Sequence, residues 1–263
     1  MPADYSALLW LLKLGALANL YFLAETLAPG ARDVDPHLVI PAQIFFVVSG
    51  YRCLFPNRYE NNIVLHDSAF SSTLVTRILA TFSEVAYIYQ FAHVLRLLNV
   101  EQVAWVDLLA SLMVVQVVVS QCFVWSAILT GRLQLYVYEE IGWGVIFLAN
   151  TVASGFLYAT LELDAGREWL LQLSLSFGLV YLPWQAIHLN ALRANARDGG
   201  GGQAERPALS RALVRDHLIR SFRERNRSTE AAAWGGWIGL VWMTAYWAVL
   251  IPLWVHVVVR AAG

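Results

Sequence analysis

Lysine is almost missing from this 263-residue sequence: Lys13 stands alone, and the other seventeen basic residues are arginines. A retinal-type Schiff base on the last apolar segment is therefore excluded, because that segment has no lysine. Cysteine is scarce as well. Cys53 and Cys122 are too few and too far apart for a disulfide framework or a thiolate metal cluster. Charge is the third shortage. Charged residues make up 14% of the chain, against about 25% in a soluble domain, while 58% is hydrophobic and the mean hydropathy is +0.53. Those values point to a bilayer. No short apolar core followed by a small-residue cleavage site opens the chain, so residues 5–28 read as a retained helix, not a cleavable signal.

Seven apolar runs are long enough to cross, at about twenty residues each. They lie near 5–28, 38–55, 69–97, 103–129, 134–160, 168–192 and 234–259. The expectation is an all-α polytopic membrane protein, a bundle of about seven transmembrane helices. Eleven Trp and eleven Tyr suit its two membrane–water interfaces. Asp67 and Ser68 read as the N-cap of the third segment. Pro183 and Pro252 should kink the sixth and the seventh.

One region reads as soluble, dividing the chain into 1–192, 193–233 and 234–263. It opens on a flexible Asp-Gly-Gly-Gly-Gly-Gln linker and continues, over 208–227, as a basic stretch. Leu209, Leu213, Leu218 and Phe222 recur there at helical spacing between arginines, the pattern of an amphipathic helix on an anionic membrane surface. Arginine placement sets orientation. Twelve arginines fall in the loops after segments 2, 4 and 6, against four (Arg32, Arg96, Arg167 and Arg260) on the other side. The positive-inside rule then puts the N-terminus in the cytoplasm and the C-terminus outside, in a plasma membrane or a bacterial inner membrane.

The chain's polar groups gather around residues 51–91. An arginine-bearing loop leads there into an apolar segment that carries Arg77 and Glu84. Counted from residue 69, they lie about 12 Å and about 22 Å deep. On a helical wheel Thr73, Arg77, Ala80, Glu84, Tyr87 and Phe91 share one face. This stripe is either an ion pair with a neighbouring helix or the wall of a polar cavity. Segment 5 opens with Glu139 and Glu140 and carries Asn150 and Ser154 further in. Phe177, Tyr181, Trp184, Gln185 and His188 line one face of segment 6, and His66 precedes segment 3. Asp67 reads as a cap, and His93 and His256 fall on the opposite side.

This set suggests a metal or an acid–base pair. His66, His188, Glu139 and Glu140 could hold a divalent ion such as Zn²⁺ or Fe²⁺. However, His-x-x-His, Glu-x-x-His and His-Glu-x-x-His are all absent, as is the histidine-box arrangement of membrane desaturases. There is no nucleophile pattern, no CDP-alcohol or aspartate-rich prenyl motif, and no phosphate loop, since no strand precedes Gly199–Gly202. The metal-free expectation is an integral-membrane enzyme on a lipophilic substrate with a polar or anionic head. Glu84, Glu139, Glu140 and His188 would be its catalytic groups, and Arg77, Tyr87, Asn150 and Tyr181 its binding groups. Two alternatives use the same residues: a proton-coupled small-solute transporter or channel, with Gln116 and Ser120 along its path, and a pigment-, quinone- or haem-binding subunit. Membrane lipids are the expected partners and nucleic acid is not; self-association is left open.

Overall fold

A computed structural model describes residues 3–198 and 210–261 of the chain. Among them, seven helices are long and apolar enough to cross a membrane. These are α1 (Ser6–Leu27), α2 (Pro36–Leu54), α3 (Thr73–Leu98), α4 (Ala104–Thr130), α5 (Gln134–Thr160), α6 (Ala165–Asp198) and α8 (Gly236–Ala261). A shorter helix, α7 (Arg211–Arg223), precedes the last of them. Large apolar side chains stay exposed on the spans; Leu17, Leu179 and Val180 are each more than 60% exposed. In water such surface would be costly, whereas in hydrocarbon it is solvated. The glycine linker and Leu209 lie outside the described residues.

Local chemistry sets most boundaries. Asp35 caps α2, its carboxylate accepting from the His37 N–H at 2.8 Å, and Pro36 fills the first helical position. Gly131 ends α4 in the left-handed conformation at φ +66°. The cap expected at Asp67 is not there. Ser68 instead caps a single 3-10 turn, Ala69–Ser71, and the Ser72 hydroxyl accepts from Val75 N–H at the start of α3. Asp67 is drawn away by Arg225, whose Nε lies 2.7 Å from its carboxylate. Because α3 begins at Thr73, Arg77 is about 6 Å into it and Glu84 about 17 Å, shallower than counted from residue 69.

The chain forms two compact units. The first comprises Met1–Tyr87 with Leu218–Gly263. At one end of it three short strands, β1 (Asn57–Arg58), β2 (Ile63–Val64) and β3 (Asn226–Arg227), make a sheet, β2 pairing antiparallel with β1 and parallel with β3. The basic helix expected over 208–227 therefore stops at Arg223, because the next residues extend to pair with β2. Backbone bonds from Tyr5 N–H to Thr229 and from Ala231 N–H to Ala3, both 2.8 Å, bring the N-terminal residues to the same place. The distortion expected at Pro252 takes the form of a π-helical turn, Thr244–Val249, just before it. Proline removes a backbone donor and crowds the preceding turn, and a π turn accommodates both. The Trp247 carbonyl accepts from Asn19 Nδ2 at 3.1 Å, Ser49 Oγ at 2.6 Å and Cys53 Sγ at 3.4 Å, tying α8 to α1 and α2.

The second unit is Ile88–His217. Its helices approach closely at two glycines. A Cβ on Gly142 of α5 would fall 2.1 Å from Ser120 Oγ of α4, and one on Gly178 of α6 would fall 1.9 Å from Thr151 Oγ1 of α5. A larger residue at either crossing would force the facing side chain to shift, so both fit the small-residue packing that membrane helices use. Between α5 and α6 runs an aromatic column, with Phe147 centred 4.2 Å from Tyr181 and 5.1 Å from Phe177.

Candidate functional site

The polar residues singled out in the sequence divide between the two units. In the first, Thr73, Arg77, Ala80, Glu84 and Tyr87 are all buried along one face of α3. The Arg77 guanidinium meets the Glu84 carboxylate through both nitrogens, Nη2 to Oε2 at 2.6 Å and Nη1 to Oε1 at 3.2 Å. Their side chains are 2% and 5% exposed. The acid that meets Arg77 here comes from two turns along its own helix. Seven residues is almost two full turns, which puts both side chains on the same side, and both are long enough to close the rise between them. Tyr87, one turn further on, packs against Phe45 at 5.5 Å and Trp254 at 6.0 Å.

His66 belongs to a different surrounding. Its ring meets the Trp10 ring edge-on at 5.4 Å, and the Lys13 ammonium sits 3.6 Å over that same indole. Burial, with help from the charges of Lys13 and Arg227, holds the His66 imidazole below its usual range, so it is neutral at pH 7.

Sequence reasoning missed the group at the end of α2. Arg52 counts there as one more loop arginine, but it lies in the last turn of α2 and is 3% exposed. Its Nη1 donates to Asn57 Oδ1 at 2.7 Å and to the Tyr59 hydroxyl at 2.8 Å. The guanidinium also lies 5.0 Å from the Tyr59 ring and 4.9 Å from the Trp247 ring. Asn57 donates onward to the Ser71 carbonyl at 2.9 Å and to Thr76 Oγ1 at 2.6 Å. The available signal was the polar run Asn57–Asn62 directly after an apolar segment that ends in arginine.

In the second unit Glu140, Gln185 and His188 come together. Gln185 Nε2 donates to Glu140 Oε2 at 2.8 Å and to the Glu140 backbone carbonyl at 2.6 Å. His188 Nε2 lies 3.5 Å from Glu140 Oε1, with the two side chains 13% and 12% exposed. The Trp184 ring stacks near His188. Two residues of α6 thus converge on one carboxylate of α5, because positions 185 and 188 are three apart and share a side of the helix. Glu139, the neighbouring acid, is buried, and its backbone carbonyl accepts from Ser120. Further along α5, Asn150 Nδ2 donates to Ser174 Oγ at 2.9 Å, which is 3.0 Å from Ser154 Oγ. All three are buried, and Asn150 Oδ1 has no hydrogen-bond partner among the described residues. Tyr181 belongs to the aromatic column between these two polar groups.

A carboxylate beside an imidazole can pass a proton in either direction, and an apolar column beside it can hold a hydrocarbon chain. A metal centre needs more ligands. Among the described residues no group of three or more His, Cys, Asp and Glu side chains is placed to hold an ion. The set His66, His188, Glu139 and Glu140 therefore gains no support as a metal site. Comparison of the chain with family models, with curated proteins and with solved structures found no match in any of the three.

Proposed function

We propose that this chain is an integral-membrane enzyme acting on a lipophilic substrate with a polar or anionic head group, with Glu140 and His188 as its acid–base pair. The observation that carries this reading is the 3.5 Å approach of His188 Nε2 to Glu140 Oε1 within membrane-length helices, with Gln185 holding the carboxylate. A half-buried pair of this kind keeps a proton available while the surrounding helices exclude bulk water. Glu139, adjacent in sequence, is a second buried carboxylate, Tyr181 and Phe147 offer a wall for the apolar part of the substrate, and Asn150 an acceptor for a hydroxyl. Arg77 and Glu84 are a charge pair first, which keeps the α3 stripe polar without leaving a bare charge in the bilayer. The protein would sit with its N-terminus in the cytoplasm and α7 on the anionic surface there.

Lipid profiles of cells expressing the wild type, Glu140→Gln or His188→Gln at equal folded protein test this. One lipid class should change with the wild type and revert in both variants. Identical profiles in all three would remove the enzyme reading. The buried Asn150–Ser174–Ser154 cluster favours a second reading, a proton-coupled transporter, because it sets a second polar group further along α5, beyond the aromatic column. That reading requires Glu140-dependent proton flux into liposomes with no change in lipid composition.

A further inference from the structure

Two arginines are buried at the strand-bearing end of the first unit, and they are neutralised differently. Glu84 meets Arg77 with both carboxylate oxygens. Among the described residues Arg52 has only neutral partners, Asn57 Oδ1, the Tyr59 hydroxyl and two aromatic faces, and no carboxylate pairs with it. The C-terminus of α2 supplies roughly half a negative charge, which leaves the guanidinium incompletely balanced. The neighbourhood is also short of acceptors. Arg52 Nε, Ser71 Oγ and Trp247 Nε1 are all buried without a hydrogen-bond partner among the described residues. Asn57 ties two of these residues together, accepting from Arg52 and donating to the Ser71 carbonyl. Trp247 brings its ring over the same guanidinium from the π turn of α8, a distortion that often marks a functional site. Excess positive charge and unused donors call for a ligand with negative charge and several acceptor oxygens. Phosphate and carboxylate match that description, and a guanidinium fork fits both.

We infer that Arg52, and not Arg77, anchors an oxyanionic head group, phosphate or carboxylate, with Ser71 and Trp247 as further donors. This rests on the reading above that the substrate carries such a head, and it names the residue that recognises it. Arg77 is already engaged by Glu84, so a head group there would have to displace a buried carboxylate. At Arg52 it would displace no acid.

The test is thermal unfolding of the full-length protein in dodecyl maltoside with added dodecyl phosphate, dodecanoate, inorganic phosphate, or dodecyltrimethylammonium as the cationic control. Dodecyl phosphate or dodecanoate should raise the melting temperature and the cation should not. Arg52→Gln should weaken the anion's apparent affinity about tenfold or more, given the strength of charge-assisted contacts. Should that variant fail to fold, Arg52→Lys, which keeps the charge but loses the fork, and Ser71→Ala serve instead; both should bind more weakly than the wild type. An Arg52-dependent shift with inorganic phosphate alone supports the oxyanion site and identifies a soluble ligand. No shift with any anion overturns the inference, and so does a shift that survives in the Arg52 and Ser71 variants, which would place binding on surface arginines. Binding needs no turnover, so an Arg52-dependent shift with unchanged lipid profiles would defeat only the enzyme reading.

Discussion

Glu84 lies well inside a membrane-length helix, and its carboxylate is met on both oxygens by Arg77. Placing either charge alone at that depth costs roughly 2.5–3.5 kcal/mol on insertion scales, and pairing removes much of that penalty. Glu84→Gln strips Arg77 of its counter-charge while the guanidinium stays buried. A loss of about 3–5 kcal/mol is expected for breaking such a pair from one side. The double change Arg77→Met with Glu84→Met should recover most of that loss, since two apolar side chains need no neutralisation. Thermal unfolding in detergent of the two single variants and the double one measures the coupling. If Glu84→Gln melts with the wild type but loses activity, the carboxylate belongs to the chemistry and not to the pair.

Helix α7 combines Arg211, Arg215, Arg220 and Arg223 with Leu218, Ile219 and Phe222, which are 38%, 43% and 41% exposed. The strand that follows it is held by β2, and Arg225 is held by Asp67, so the helix is anchored at its C-terminal end. Exposed apolar residues among arginines suit the boundary between head groups and acyl chains, where each arginine contributes about 1 kcal/mol against anionic lipid. A solvent-sensitive fluorophore on a cysteine at Phe222, in the full-length protein, should shift to the blue in phosphatidylglycerol nanodiscs relative to phosphatidylcholine ones. Added salt should reverse that shift. An emission indifferent to lipid charge would mean that α7 is only part of the protein's own cap.

At the scale of the whole molecule, the first unit brings the N-terminal residues, the 57–64 loop and residues 226–231 to one end through backbone bonds and strand pairing. Segments joined in that way lie on the same side of any membrane the protein spans. By the positive-inside rule the arginine excess predicts that this side is the cytoplasm. A cysteine at Gly201 should therefore escape an impermeant maleimide in intact cells and react after permeabilisation, while one at Ala262 should react in both. Labelling at Gly201 in intact cells inverts the orientation.

The sequence alone was enough to determine that seven segments can span a membrane, because the cost of moving a helix into hydrocarbon is close to a sum over its own residues. It also determined that one face of α3 carries Arg77, Glu84 and Tyr87, since helical periodicity is a local property. Partners were a different matter. That Arg77 meets Glu84 on its own helix, that Asp67 turns from a cap to Arg225, and that Arg52 is buried under Trp247 were decided by tertiary structure. So were the pairing of β3 with β2 and the meeting of Gln185 and His188 at Glu140. The physical reason is common to all of them. A hydropathy pattern leaves open which helices are neighbours and how each is rotated, and a side-chain contact depends on both. Only close packing at positions such as Gly142 and Gly178 selects one arrangement from the many that bury the same apolar surface.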